Sequence, residues 1–183
     1  MRYGLILLPT AQTAAELEEY SGILTAAADP LMRLGSHAPP HVTLLHFTAH
    51  GPIHARLVEA VATLGADARV IPTGLLFRPV PVGDYYVPEG GIHAGLQVAA
   101  TEPLRALHHR MLTLVTDLGG TVISPSGADY NPHLTLAVLR TASPLTVRLP
   151  PQLFLDGFSA RPALGVLGPY GTFPQLLGGN PPV

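Results

Sequence analysis

The chain has 183 residues, 47% hydrophobic and 12% charged, with a formal net charge of −2. That length suits one domain or two small lobes on a shared core, and the composition excludes a disordered chain. All ten basic residues are Arg and Cys is absent. This excludes a P-loop lysine, a lysine or cysteine nucleophile, a disulfide framework and a thiolate zinc site; the near-neutral charge also argues against a long duplex footprint.

Residues 3–8 form a short apolar run closed by Pro9 and read as a buried strand. The run is too short for a signal peptide, and no stretch reaches membrane-spanning length, so a cytoplasmic protein without a membrane partner is expected. Thr13 and Glu16 match a capping box, which predicts a helix over 14–28, stopped at Asp29-Pro30. A loop through Gly35 and Pro39-Pro40 leads to a strand over 41–48. Gly51-Pro52 breaks it, and a helix is expected over 53–64 from the spacing of Leu57, Val61 and Leu64. Strands are expected over 70–77, 85–87 and 92–99, with turns at 79–83 and 88–91. Thr101 with Glu102 and Pro103 starts a helix that ends near Leu118, before Gly119-Gly120. After a polar loop over 124–131, a strand is expected over 133–139. Short strands are expected over 154–158, 164–167 and 173–177, followed by a frayed tail over 178–183.

One pattern occurs twice. Pro40-His41-Val42-Thr43-Leu44 returns as Pro132-His133-Leu134-Thr135-Leu136, and the offsets 133 − 41 and 135 − 43 are both 92. In a strand, residues i and i+2 share a face. Each copy therefore sets one imidazole beside one hydroxyl, while Val42 or Leu134 points into the core. The order strand, helix, loop, His-x-Thr strand also repeats, which reads as one duplicated unit. Two such lobes facing each other would line one cleft with two imidazoles and two hydroxyls.

Histidine changes charge near neutral pH, so a pair can supply a general base and a general acid. Threonine hydroxyls can donate to the non-bridging oxygens of a phosphate. The residues alone do not say which His is acid and which is base. The other seven His read as structural: His50 and His54 are separated by a helix breaker, no zinc motif forms, and a regular strand turns His46 away from His41. His108 and His109 read as surface or interface residues of a helix. Tyr130 is a candidate substrate contact, placed to stack on a base or to pack beside the motif. Tyr85, Tyr86 and Tyr170 are weaker candidates of the same kind, and Arg78 and Arg161 are either solvated or phosphate contacts.

With these two motifs, each preceded by Pro, the chain resembles the 2H phosphoesterase superfamily, which includes the bacterial 2′-5′ RNA ligase-like proteins and RNA 2′,3′-cyclic phosphodiesterases. The resemblance implies an α+β fold of two pseudo-symmetric lobes, each a mainly antiparallel sheet with flanking helices, around a central cleft. As a single domain over 1–183, the lobes would run over about 1–90 and 91–177, with strands free to intertwine, and a monomer is expected. It implies His41 and His133 as the catalytic pair, leaning to His41 as acid and His133 as base, with Thr43 and Thr135 binding phosphate. No metal and no cofactor is implied. The activity implied is hydrolysis of a 2′,3′-cyclic phosphate or a 2′-5′ linkage in an RNA end or small nucleotide, and low positive charge favours short substrates. An Arg often follows the second motif; here the first is Arg140, which a regular strand would turn away from the His face. The competing readings are an RNA- or nucleotide-binding module that keeps the cleft without catalysis, and a scaffold with incidental His.

Overall fold

The computed structural model describes residues 1–50, 53–64, 67–141, 149 and 151–178. In chain order its elements are β1 (Arg2–Pro9), α1 (Ala11–Leu24), β2 (Pro30–Arg33), β3 (Val42–Thr48), α2 (Ile53–Leu64), β4 (Ala68–Val70) and β5 (Pro72–Val80). They continue as β6 (Gly91–Val98), α3 (Glu102–Asp117), β7 (Thr121–Val122), β8 (His133–Leu139), α4 (Pro151–Leu155), β9 (Phe158–Val166) and β10 (Gln175–Gly178). The molecule is α+β, built on a ten-stranded sheet whose main path is β10-β9-β1-β3-β8-β6-β5. Every pairing among the described strands is antiparallel.

At the centre, β3 and β8 touch through one residue pair, Val42 and Leu134. The sheet is thus two half-sheets joined where the two motifs begin. The order strand–helix–short strand–motif strand appears as β1-α1-β2-β3 and again as β6-α3-β7-β8. Each short strand pairs with the other unit's motif strand, β2 with β8 and β7 with β3. The helices follow the same exchange: α1 packs on β8 and α3 on β3, while α2 lies on β9 and β10. The main core lies under the helices, where Leu17, Leu104 and Met111 meet Leu5, Leu45 and Leu96. Full burial of each such side chain is worth about 1.5–3 kcal/mol. The opposite face carries two smaller clusters, Ile6, Leu8, Ala163 and Phe173 on one half and Val80, Val87 and Val138 on the other.

Both motif strands carry a bulge at the same place. On β3, Leu45 opposes Leu5 and Thr43 opposes Ile6, so Leu44 is the extra residue. On β8, Ala137 opposes Ala94 and Thr135 opposes Gly95, so Leu136 is the extra residue. A bulge leaves one residue out of the ladder and shifts the facing of everything after it. The freed carbonyls are met from the helices. His108 of α3 donates from Nδ1 to the Leu44 carbonyl at 2.8 Å, and Ser21 of α1 donates from Oγ to the Leu136 carbonyl at 2.7 Å. Each clamp also accepts from a backbone N–H, Gly127 onto His108 Nε2 and Leu34 onto Ser21 Oγ, both at 3.0 Å. Both side chains are fully buried, where an unpaired carbonyl would be costly. Gly95 belongs to this device: a Cβ there would lie 2.2 Å from the Leu134 carbonyl oxygen.

Several elements differ from expectation. Helix α1 starts earlier because Thr10, not Thr13, is its N-cap, accepting from the Thr13 N–H at 3.2 Å. It ends at Leu24, where the Thr25 hydroxyl bonds the Ser21 carbonyl at 2.7 Å. The strand expected over 85–87 is a turn, because the Asp84 carboxylate accepts the N–H groups of Tyr86 and Val87; an acidic side chain bonding its own backbone competes with the ladder. The strand expected to start at residue 154 is the end of α4, and β9 begins at Phe158. Strand β2, expected as loop, and β7, where no element was expected, exist through pairing with β8 and β3 rather than through local pattern. His108 is buried, not a surface residue. Gly51-Pro52 and residues 179–183 lie outside the described residues, and Gly178 closes β10.

Candidate active site

The two Pro-His junctions set their rings in the same way. His41, just ahead of β3, donates from Nδ1 to the Pro39 carbonyl at 2.8 Å, and His133, the first residue of β8, donates from Nδ1 to the Asn131 carbonyl at 3.0 Å. The acceptor is two residues back in both, across the intervening proline. A carbonyl can only accept, so the Nδ1 proton is fixed and Nε2 is the nitrogen left to bind or exchange a proton. His41, Thr43, His133, Thr135 and Tyr130 all line one cavity of about 590 Å³, a size suited to a nucleotide-scale ligand.

Burial disfavours charge on both rings. His41 is lowered to about 4 by burial and by the neighbouring His133, while the Pro39 and Gly171 carbonyls pull the other way. His133 is also lowered, by burial first and by the positive charge of Arg78, against the Asn131 carbonyl. His41 is braced by Phe173, whose ring meets it edge-on at 4.8 Å and 89°. Phe173 fits there because Gly4 lies beneath it: a Cβ on Gly4 would stand 2.3 Å from the Phe173 ring. Tyr170, on the cavity wall beside Gly171, is held at φ 59°, ψ 19°. A non-glycine residue in this left-handed region costs about 1–3 kcal/mol and is kept only by its surroundings. Here the Tyr170 N–H bonds the Tyr86 carbonyl at 3.1 Å and its hydroxyl bonds Glu89 at 3.1 Å.

The bulge at Leu44 overturns the expected facing of His46. It opposes Gly4 across the ladder, returns to the face of Thr43, and lines the cavity. Its Nδ1 lies 2.7 Å from the Tyr86 hydroxyl and its Nε2 3.4 Å from the Thr43 hydroxyl. Burial lowers His46 to about 3 and raises Tyr86 to about 12, so both are neutral at ordinary pH. Val138 holds the corresponding place on β8, 92 residues on by the motif offset. His93 and Arg78 also line the cavity. Sequence reasoning set His46 and His93 aside; no local signal marks a bulge, although the matching Leu44 and Leu136 after the two motifs were visible.

Tyr130 is 6% exposed, and one ring face is taken by His108, stacked at 3.9 Å and 7°. Its hydroxyl donates to the Thr43 carbonyl at 3.3 Å. Tyr85 lies under Arg2, 4.7 Å from the ring centre. Arg140 lies past the end of β8 and pairs with Asp29 at 2.9 Å, and Arg161 pairs with Asp67 at 2.6 Å. Among the described residues no three His, Asp or Glu side chains gather as a metal-binding group, and no helix is long and apolar enough to cross a membrane.

Comparison with known proteins bears on the family and the fold. Residues 9–161 match the model of the 2′-5′ RNA ligase superfamily. The crystal structure of the MHV ns2 PDE domain is similar in fold, with a TM-score of 0.51 at 13% identity over 80% of this chain and 83% of that one. A phosphoesterase crystal structure aligns with a TM-score of 0.47 at 15% identity, covering 90% of this chain and 87% of that one. Usb1 of Kluyveromyces marxianus aligns with a TM-score of 0.44 at 16% identity, covering 76% and 70%. No curated protein sequence matches the chain.

Proposed function

Because the chain belongs to the 2′-5′ RNA ligase superfamily, within the 2H phosphoesterases, we propose that it is a metal-independent phosphodiesterase opening 2′,3′-cyclic phosphates or 2′-5′ linkages at RNA ends or in small nucleotides. The observation that carries this reading is the mirrored bonding of His41 and His133, which leaves Nε2 as the nitrogen for proton exchange on two side chains that line one cavity. His133 takes a proton from the attacking water, and His41 gives one to the leaving sugar oxygen. This order is the one the family resemblance implies; the charges do not set it, because each ring has a carbonyl that favours its proton and a positive neighbour that disfavours it. An anionic phosphate between the rings further stabilises the imidazolium.

Thr43 and Thr135 donate to the non-bridging oxygens, where charge gathers in the transition state. A neutral His46 fixes the sense of one of these bonds. When the Tyr86 hydroxyl donates to Nδ1, the Nε2–H faces the Thr43 oxygen, and the Thr43 proton is left for the phosphate. Such bonds tighten once substrate is bound. The acid, the base and the phosphate contacts are all side chains of this chain, so no step calls for a metal.

The test is ring opening of 2′,3′-cyclic nucleotides in the presence of chelator. Turnover is expected, and His41→Ala and His133→Ala should each lose about 10²–10⁴-fold in kcat, the usual worth of one proton transfer. Near wild-type turnover in either variant, or activity abolished by chelator and restored by a divalent ion, contradicts the proposal.

A further inference from the structure

Beside the paired histidines the cavity wall holds two groups, His93 and Arg78, to which the reaction above gives no contact with substrate. Strand register sets them out. Thr135 on β8 opposes Gly95 on β6, and two residues along β6 His93 opposes Val138. Across the next ladder His93 opposes Arg78 on β5. Strand spacing and rise place His93 about 8 Å from Thr135, with Arg78 one strand further out. Both line the same cavity as the motifs.

Neither group has a partner that accounts for it. His93 is 8% exposed, and its Nδ1 is the one buried side-chain polar atom left without a hydrogen bond among the described residues. Burial and Arg78 lower its proton affinity to about 4. The ring is therefore neutral and carries one N–H. With no acceptor at the sealed Nδ1, that proton belongs on Nε2, which makes the cavity edge of the ring a donor. Arg78 forms no ion pair among the described residues, where the pairs are Arg140–Asp29 and Arg161–Asp67. Asp84, which lines the same cavity, accepts the N–H groups of Tyr86 and Val87 on Oδ1 and forms no ion pair with Arg78. A guanidinium and an imidazole N–H on one patch of sheet are two donors awaiting an anion.

We propose that Arg78 and His93 form a second anion subsite, which holds the phosphate flanking the reacting one. This rests on the two-histidine reading above. With the reacting phosphate at Thr43 and Thr135, a group about 8 Å away is one that a single ribose can bridge. The substrate class is then a nucleotide bearing a phosphate on its 5′ side, either terminal or bridging to a preceding nucleotide. One such subsite also suits a chain of net charge −2, which cannot neutralise a long run of phosphates.

The experiment compares kcat/KM for a nucleoside 2′,3′-cyclic phosphate, its 5′-phosphorylated form, and a dinucleotide ending in the same cyclic phosphate. The wild type should favour one or both phosphate-bearing substrates by about 10- to 100-fold, the worth of a charge-assisted contact. Gain with the dinucleotide assigns a bridging phosphate, and gain with the 5′-phosphorylated form assigns a terminal one. Arg78→Gln should bring the ratio close to one and His93→Asn should lower it, while Arg110→Gln, remote on α3, should keep it. Equal kcat/KM for all three substrates, or a preference that survives Arg78→Gln, overturns the subsite and leaves the two-histidine reading standing. No ring opening of any substrate by the wild type removes both.

Discussion

The stretches around His41 and His133 share a scaffold and differ in what surrounds it. Each has a proline before the histidine, an Nδ1 bond to the carbonyl two residues back, a threonine two residues on, and a bulge at the next leucine. Each freed carbonyl is taken by a buried polar side chain of the helix above it. The neighbours break the likeness. His41 sits among Phe173, Gly171 and His46, whereas His133 shares the cavity wall with Arg78 and His93. The scaffold places two equal rings in unequal surroundings, and the proposed reaction asks different work of them. Acid and base roles need different proton affinities, and these come from neighbours rather than from the motifs.

The largest change short of the two rings themselves should come from the Tyr86–His46–Thr43 chain, present on one side only. His46→Ala and Tyr86→Phe are each expected to lower kcat about tenfold, near the lower end of the cost of losing a phosphate-directed donor. If they act as one relay, the double variant should lose little more than either single one. Additive losses in kcat, or losses confined to KM, would mean that the two residues only shape the wall.

A smaller test concerns the shared part. Ser21→Ala and His108→Ala should each lower stability in urea unfolding, Ser21→Ala by about 1 kcal/mol, because the Leu136 carbonyl keeps the Leu34 N–H at 3.3 Å. His108→Ala should cost more, because it removes the donor to the Leu44 carbonyl and opens space against Tyr130. Unchanged midpoints would show that the bulge carbonyls find water or another donor.

The sequence shows the scaffold better than the differences. The two His-x-Thr motifs, their prolines and the recurrence of strand, helix and motif strand are local patterns, and they bring His41, Thr43, His133 and Thr135 to one cavity. The bulges are not local. They arise where β3 and β8 pair with β1 and β6, leaving Leu44 and Leu136 out of the ladder, and the one at Leu44 reverses the facing of His46. His108 shares the helix face of Leu104 and Met111, and its polar ring can be buried there because the Leu44 carbonyl gives it a partner. Arg78 and His93 become neighbours only when β5 pairs with β6. Strands β2 and β7 are too short to show a period and exist because a motif strand offers them an edge.

The most direct test of unequal rings on an equal scaffold is the pH dependence of turnover on a 2′,3′-cyclic nucleotide. Both histidines are lowered in the free protein, His41 to about 4. The protonated acid is therefore present below that range and lost as pH rises through it, while the neutral base is lost as pH falls. The profile of kcat/KM should be a bell centred below the usual histidine value of about 6.5. The bell for kcat should lie at higher pH, because the bound anion favours the imidazolium. In the residual activity, His41→Ala should lose the basic limb and His133→Ala the acidic limb. A profile without limbs, or one in which both limbs persist in either variant, would contradict the account.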